Sequence, residues 1–588
     1  MQRKTTSFIM ILFLFIGSTL VMAQGHSDPF DISVAIGHQE ICQTEFDPVN
    51  NQYLVVWEDT RLGGDSDVYG QFVAGDGTLI GENFAICTTP GDQWWPRMAF
   101  DAANERFLIV FEDNRNGIDQ GDIRGVFIDS NGNFVDAPSS DEDHTFGICT
   151  EGHDIYTCSV AFNYIDNVYL AVWGDNRVLT EAIGEQWGVD IYGQIISADG
   201  SLILPNDPTV NFPVDSASWY NASVPDVTYN AVTNEFFVAY GTEMGYVLGQ
   251  RVNSNAELIN PDGSVSGLAK TSTVLPAMFV SKWFNNGPDC FQARTAARFG
   301  LQLPLLNKAV MMDTTEVLVV WKGQRDDTPE GFFNDVYGQR IMFVLEEGLY
   351  AAQYIDLNGD VTENQSNFPI SLQPGWAWPP EIAYSDVDDE FLVGWGDPRD
   401  EATNDDDFYM QRLWINEEND MIFFADDRVN TVTNTENIPL ATSSIEERSL
   451  AGIAYNSQNN SFLVVYQTGA RSDENGVNIV GNIVYGTPVE PDAVSKIETL
   501  PGSYKLGQNY PNPFNPSTRI EFSVKEAGRV TLSVFDAQGR KAAKLLDQHF
   551  DPGTFQISFD ASHFPSGVYF YKLQVNDFTD VKKMILMR

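Results

Sequence analysis

The chain is poor in positive charge, in cysteine and in histidine. It sets 34 basic side chains against 82 acidic ones, for a formal charge of −48. A surface of that sign repels nucleic acid and anionic membrane, which excludes both as partners. Five cysteines, Cys42, Cys87, Cys149, Cys158 and Cys290, are too few to build a disulfide scaffold in 588 residues, and none is spaced as a zinc-binding CxxC. They read as small buried hydrophobes. Beyond the first segment no apolar run is long enough to span a bilayer. Catalytic signatures are missing as well: there is no GxSxG, HExxH, P-loop or GxGxxG, and the six histidines are scattered. Glycine (47 residues) and aromatics (12%) are plentiful, which points to many short strands joined by tight turns.

The N-terminus begins Met1-Gln-Arg-Lys4. An apolar run from Phe8 to Met22 follows, broken by Gly17-Ser-Thr19, with Val21 and Ala23 at the −3 and −1 positions of a cleavage site. Residues 1–23 therefore read as a secretory signal peptide cut between Ala23 and Gln24. No transmembrane helix is expected once it is removed.

The centre is repetitive. An apolar run ending in an aromatic recurs seven times, from Tyr53-Leu-Val-Val-Trp57 and Phe107-Leu-Ile-Val-Phe111 to Phe462-Leu-Val-Val-Tyr466. A second phrase follows each, as in Asp67-Val-Tyr-Gly-Gln71 and Asp335-Val-Tyr-Gly-Gln339. A third element precedes each by eleven residues: Glu45-Phe46, Ala99-Phe100, Ala161-Phe162, Thr228-Tyr229, Ala309-Val310, Ala383-Tyr384 and Ala454-Tyr455. A constant offset marks a fixed hairpin. A fourth strand ends near Phe84-Ala-Ile86, Phe146-Gly-Ile148 or Phe368-Pro-Ile370. Strands such as Leu54-Val-Val-Trp57 are apolar on both faces, as a sheet packed between two other sheets requires. Four-stranded units repeated around an axis make a β-propeller, so an all-β, seven-bladed ring is expected over 24–486. The last copy stops after its third strand. Phe30-Asp-Ile-Ser-Val-Ala-Ile36, at the start of the mature chain, resembles the missing fourth strand and is expected to close the ring.

Residues that differ between copies are the candidates for function. Trp94, Trp95, Trp219, Tyr220, Trp376 and Trp378 fall where fourth-to-first-strand connections cross one face near the axis. They are the expected ligand-binding set, for a sugar or a protein partner. Asp59/Arg61, Asp113/Arg115, Asp175/Arg177 and Asp397/Arg399 recur around the ring and read as scaffold ion pairs. Acidic loops such as Asp65–Asp67, Asp356–Asp360 and Asp405–Asp407 suit weak Ca²⁺ binding at most; no cofactor, catalytic residue or metal ligand is assigned. Three functions remain open: a glycan- or protein-binding module, a polysaccharide-active hydrolase or lyase with carboxylates at the channel, and a structural envelope protein.

After a Pro-containing linker (487–500) the charge changes sign. Residues 501–588 hold 11 basic and 8 acidic side chains, a net +3, leaving −51 for the rest. A break this sharp marks a domain boundary. The segment carries Asn509-Tyr-Pro-Asn-Pro-Phe-Asn-Pro516, Phe535-Asp-Ala-Gln-Gly-Arg540, Gly567-Val-Tyr569 and Lys582-Lys583, among short alternating strands that suggest a small Ig-like β-sandwich. In these motifs and their order it resembles the type A C-terminal sorting domain of the type IX secretion system. The resemblance implies recognition by that export machinery at Asn509, Tyr510, Pro511, Asn512, Pro513, Phe514, Asn515, Pro516, Gly567, Tyr569, Lys582 and Lys583. It also implies passage through the periplasm and release or attachment at the outer cell surface.

Overall fold

The computed structural model describes residues 26–586 apart from a set of loops, the longest of them 178–188, 268–277, 281–290, 299–313, 325–333, 398–406, 426–436 and 487–494. The fold is all-β. Among the described residues no helix is long and apolar enough to cross a membrane. The chain divides into two compact units between Thr487 and Pro488.

Among the described residues the first unit holds seven antiparallel sheets. The first is Gln39–Asp47, Gln52–Asp59, Asp67–Ala74 and Leu79–Cys87, side by side in chain order. The second begins Gln93–Asp101, Arg106–Asp113 and Gly121–Asp129, and ends on Phe146–His153. Later sheets start from Ile155–Asn163, Ala222–Asn230, Phe291–Arg298, Glu381–Ser385 and Glu447–Asn456.

Six first hairpins keep one register: Phe46 faces Tyr53, Phe100 faces Phe107, and so on to Tyr455 facing Phe462. Their turns share one chemistry. The carboxylate of Asp47 accepts the N–H groups of Val49 and Asn50 at 2.9 and 3.0 Å. Asp101 does the same for Ala103 and Asn104, and the amide oxygen of Asn456 for Gln458 and Asn459. The five turns that are fully described close on a left-handed residue, Asn51, Glu105, Asn167, Asn234 and Asn460.

The fifth copy departs from the expected offset. Thr314–Gln324 pairs with Phe291–Arg298, which places Ala297 opposite Val317; Ala309-Val310 lie outside the described residues. The extra sequence there contains two repeat strands, Met278–Phe279 closing the fourth sheet and Phe291–Arg298 opening the fifth. Neither matches the repeat phrases, so the eleven-residue rule selected the wrong segment.

Doubly apolar strands arise because alternate side chains serve two cores. Leu54 and Val56 pack with Ile109, Phe107 and Phe111 of the second sheet. Tyr53, Val55 and Trp57 point the other way, into a separate core. The Gly-Gln phrase is explained by packing and hydrogen bonding. A Cβ on Gly125 would lie 2.8 Å from Phe146 Cζ, and one on Gly70 would lie 2.9 Å from Ile86 Cδ1, so the third strand must be bare where the fourth crosses it. Gln71 Nε2 donates to the carbonyls of Phe72 and Ile80, both at 2.9 Å, tying third and fourth strands together.

A buried asparagine then reaches the preceding sheet. Asn211 Nδ2 donates to Gln194 Oε1 and to Ile148 O, and Asn437 Nδ2 to Gln411 Oε1 and Ile370 O. In the first sheet Asn83 Nδ2 donates to Gln71 Oε1 and to Ile32 O, at 2.7 and 3.1 Å. Ile32 therefore occupies the fourth-strand place of Ile148 and Ile370. Its strand, Phe30–Ser33, pairs antiparallel with Asn478–Tyr485.

The repeated Asp/Arg residues are scaffold ion pairs. Asp59 Oδ2 accepts from Trp57 Nε1 at 2.7 Å and from Arg61 Nη2 at 2.5 Å, and the Arg61 guanidinium lies over the Tyr69 ring. Asp113/Arg115 and Asp175/Arg177 repeat the pairing; Arg399 is outside the described residues. A second set crosses the middle strands. Arg340, 0% exposed, holds Glu316 through two bonds of 2.6 and 2.9 Å. Replacing Arg340 with Met strands a buried carboxylate, and a loss of about 3–5 kcal/mol is expected in urea unfolding. Adding Glu316→Leu should restore most of it.

The second unit has two four-stranded sheets. One runs Ser495–Ile497, Gly553–Asp560, Ser517–Val524, Lys505–Leu506; the other Lys541–Phe550, Gly528–Phe535, Gly567–Val575, Phe578–Leu586. They share one apolar core that includes Ile520, Phe522, Leu532, Tyr571 and Leu573.

Candidate functional site

Every described first strand but the sixth carries a register shift near its start, between Glu40 and Gln43, Trp94 and Arg97, Tyr156 and Cys158, Ser223 and Asp226, Phe291 and Arg294, and Arg448 and Gly452. Four of these bulges hold a non-glycine residue at positive φ: Ile41 (53°), Trp95 (54°), Thr157 (37°) and Val224 (50°). Left-handed backbone is costly for β-branched Ile41 and Val224, and bulges of this kind re-aim the side chains beside them.

Those side chains border a cavity of about 350 Å³, near the small end of the ~300–1,000 Å³ usual for ligand pockets. Its lining comes from the first strands of six sheets. One ring position, three residues before the hairpin aromatic, supplies Gln43, Arg97, Ser159, Asp226 and Glu381. In the seventh sheet this position is Gly452, where a Cβ would sit 2.7 Å from the Thr44 backbone nitrogen. Gln43 Nε2 donates to Glu381 Oε1 at 3.4 Å, and Ser159 Oγ to Asp226 Oδ1 at 3.0 Å. Arg97 is the only cationic side chain among the described lining residues and is buried. Glu45 lines the cavity where the aligned residues are Ala99, Ala161, Thr228, Ala383 and Ala454. Beyond it the wall is aromatic: Phe100, Phe162, Tyr164 and Tyr229, with the two tyrosine rings edge to face at 5.3 Å.

A second layer of carboxylates lies at the bulged ends. Glu40 faces Glu58 across the first hairpin, and Trp94 faces Glu112 in the second. Glu58 Oε1 accepts the Trp95 N–H at 2.7 Å, and Cys158 Sγ donates to Trp95 O at 3.4 Å, so three sheets meet at this tryptophan. Burial, reinforced by the Glu40 and Glu112 charges, pushes the Glu58 carboxyl up to about 8, against the relief of the Trp95 hydrogen bond and Arg97. Burial alone pushes Glu45 up to about 7. Burial likewise raises Asp67 and Asp122 to about 6, and Asp190 to about 7.

All five carboxyls hold their protons more tightly in the folded chain than in the unfolded one. Stability is therefore greatest on the acid side and declines as pH rises through the interval from about 4 to about 8, then levels. The thermal midpoint should be higher at about pH 5 than at about pH 8.5. Glu58→Gln should raise the alkaline value and narrow the gap; an unchanged gap would remove Glu58 from the account.

Of the aromatics expected to bind ligand, Trp94 and Trp95 stand half-buried at the bulge of the second sheet. Trp378 is 39% exposed, and its N–H donates to Gly396 O. Trp219, Tyr220 and Trp376 lie outside the described residues. In the acidic loop Asp65–Asp67, Asp65 Oδ2 accepts the N–H of Gly91 from the connection between the first and second sheets. Among the described residues no group of three or more ligating side chains is placed to hold a metal ion. The ring position and Glu45 went unrecognised from sequence. Their signal was available: align the copies on the hairpin aromatic, and one column is polar and different in nearly every copy while the next but one is small except for Glu45.

In the C-terminal unit the Asn-Tyr-Pro-Asn-Pro-Phe block is partly structural. Asn509 is 2% exposed; its N–H donates to Tyr571 Oη, which donates to Gly507 O, and its Nδ2 donates to Thr518 Oγ1. Asn512 pairs like a peptide group with the last strand, donating to Lys583 O and accepting from Ile585 N. Phe514 and Tyr569 are buried in the core, while Lys583 is exposed and Lys582 half-buried. Gly567 opens the strand that carries Tyr569 and Tyr571. Tyr510, Pro511, Pro513, Asn515 and Pro516, like Ala23 and Gln24, lie outside the described residues.

Residues 508–587 match the family of secretion system C-terminal sorting domains. No curated protein matches the chain. Among solved structures it is similar to an α-L-arabinofuranosidase from Fusarium graminearum, at 8% identity and a TM-score of 0.36, over 78% of this chain and 97% of that one. It is similar also to a Penicillium chrysogenum α-L-arabinanase, at 8% identity and a TM-score of 0.37, over 78% and 98% of the respective chains. A thermostable family-43 glycoside hydrolase aligns at 14% identity and a TM-score of 0.29, over 59% of this chain and 98% of that one.

Proposed function

We propose that this chain, addressed by its sorting domain to the outside of the cell or its outer surface, is a closed seven-bladed β-propeller that binds a glycan in its axial cavity. The parts are a signal peptide (1–23), the propeller (24–486), a linker (487–500) and an Ig-like sandwich for export (501–588). Closure is supported by the order of neighbours. Gln39–Asp47 packs against both Gln93–Asp101 and Glu447–Asn456, and the latter packs against Glu381–Ser385. One core joins Ile32, Cys42 and Trp57 to Leu463, Val465 and Ile479.

The observation that carries the glycan reading is the ring position. A regular scaffold needs one residue type at equivalent places, but here glutamine, arginine, serine, aspartate and glutamate converge on one cavity. Fixed donors and acceptors beside aromatic faces suit a polyhydroxylated ring. Trp94, Trp95 and Trp378, with Trp219, Tyr220 and Trp376, extend the site along the bulged face.

Glu58 favours a second reading. A carboxyl held protonated near neutrality beside Glu40 and Glu112 has the character of a general acid with a carboxylate partner, as glycoside hydrolysis requires. One screen separates the two: polysaccharide retention and reducing-end release, measured on the full mature chain and on Arg97→Ala. Retention that falls at least tenfold in Arg97→Ala, without new reducing ends, supports the binding module. Release abolished by Glu58→Gln supports the enzyme, and neither signal refutes both.

A further inference from the structure

We infer that the axial cavity selects a saccharide bearing a primary ammonium group, with Glu45 as the counter-ion. The inference rests on the glycan reading above and specifies its ligand class.

Charge balance is the first ground. Among the described lining residues Glu45, Asp226 and Glu381 stand with one cation, Arg97, and the register of the fifth hairpin, Arg294 opposite Val320 as Gln43 is opposite Val56, gives the ring position a second arginine. Glu40 and Glu112 add to the same sign at the bulged end, where Glu58 holds its proton near neutrality, and the whole chain stands at −48. An acidic sugar entering this field is repelled, and a neutral one leaves the imbalance as it was. An ammonium sugar relieves it.

The position of Glu45 is the second. Asp226 takes the Ser159 hydroxyl and Glu381 the Gln43 amide. Glu45 has no cation within ion-pair distance among the described residues, although burial makes its charge expensive. Scaffold duty does not explain it, because aligned copies carry alanine or threonine there.

Unmet hydrogen bonding is the third. Thr44 lines the same cavity, is 5% exposed, and its Oγ1 has no partner; Tyr164 Oη, also on the lining, is buried without one. Buried polar atoms are ordinarily satisfied, so these two orphaned hydroxyls, one from the first sheet and one from the third, leave hydrogen-bonding capacity at the lining that a ligand meets when the side chains turn toward it. The apolar faces of Phe100, Phe162 and Tyr229 supply a floor for the ring carbons.

The test is calorimetric titration of the full mature chain with four disaccharide probes: a glucosamine dimer, its N-acetylated form, a glucose dimer and a galacturonate dimer. The glucosamine dimer should bind at least tenfold more tightly than the acetylated and glucose dimers, and the galacturonate dimer weakest. Glu45→Gln and Glu45→Ala should bring amine and neutral probes to within about twofold of each other. Alanine is the residue of the aligned copies, so that variant is expected to fold, and its thermal midpoint checks this. An amine preference that is absent, or that survives Glu45→Ala, overturns the inference while leaving glycan binding standing. Failure to bind any of the four, together with failure in the polysaccharide screen, overturns both.

Discussion

Deleting residues 26–36 should destabilise the propeller unit more than any single substitution in it. The arm contributes a strand, Phe30–Ser33, and a tether: Ser27 N–H donates to Ile483 O, and Asn482 Nδ2 donates to Ser27 O. Ile32 is 2% exposed in the core between the first and last repeats. Losing that side chain costs ~2–5 kcal/mol on the scale of large-to-alanine core changes. Each ladder hydrogen bond adds ~1 kcal/mol, and Asn83 loses the carbonyl it donates to. A total on the order of 5 kcal/mol or more is a large part of a domain's net stability. The deletion also exposes Asn478–Tyr485 as a bare edge, which invites pairing between chains. Urea unfolding and size-exclusion chromatography should show a lowered midpoint with oligomers. A truncated chain as stable and monomeric as the intact one would contradict the closure.

The second large effect concerns location. Removing residues 501–588 takes away the sorting-domain match at 508–587. The truncated chain should still be secreted into the periplasm and remain there, with the thermal midpoint of the first unit unchanged. Fractionation with immunodetection reads this directly. Truncated protein outside the cell at normal levels would show that export does not depend on this domain.

The architecture was legible because its causes are local and repeated. Apolarity on both faces of Leu54–Trp57 follows from packing between two sheets, and the Gly-Gln phrase follows from the Phe-x-Ile strand that crosses it. The closing strand could be recognised because Phe30-Asp-Ile32 obeys the same packing rule as Phe146-Gly-Ile148. The fifth repeat failed at the same level: Phe291–Arg298 has no aromatic where Phe46 or Tyr229 stands, and sequence spacing selected Ala309-Val310 instead. In the C-terminal unit, strands Lys541–Phe550 and Phe578–Leu586 are hard to read from sequence because charged residues interrupt their alternation. The cavity was hidden for a different reason. Its residues are far apart in the chain, they differ between copies, and the bulges that re-aim them leave no composition signal. The tryptophans stand out in a sequence by their size, while Glu45 and Arg97 are conspicuous only once the copies are superimposed in register. Similarly, Asn509 and Phe514 look like an exposed address in the sequence but are largely internal fastenings.

Everything about the axial site depends on the ring being closed by the first and last strands, and a cross-link measures that most directly. Asp31 and Val480 are cross-strand partners, and the four described native cysteines are buried. In the Asp31→Cys/Val480→Cys chain, mild oxidation should give an intramolecular disulfide. It should appear as a reduction-sensitive shift in gel mobility of the monomer, with a linked peptide pair in the mass spectrum. Closing so long a loop should also raise stability by about 5 kcal/mol. Failure to cross-link, or cross-links only between chains, would mean that Phe30–Ser33 does not complete the last sheet, and the closed ring would have to be abandoned.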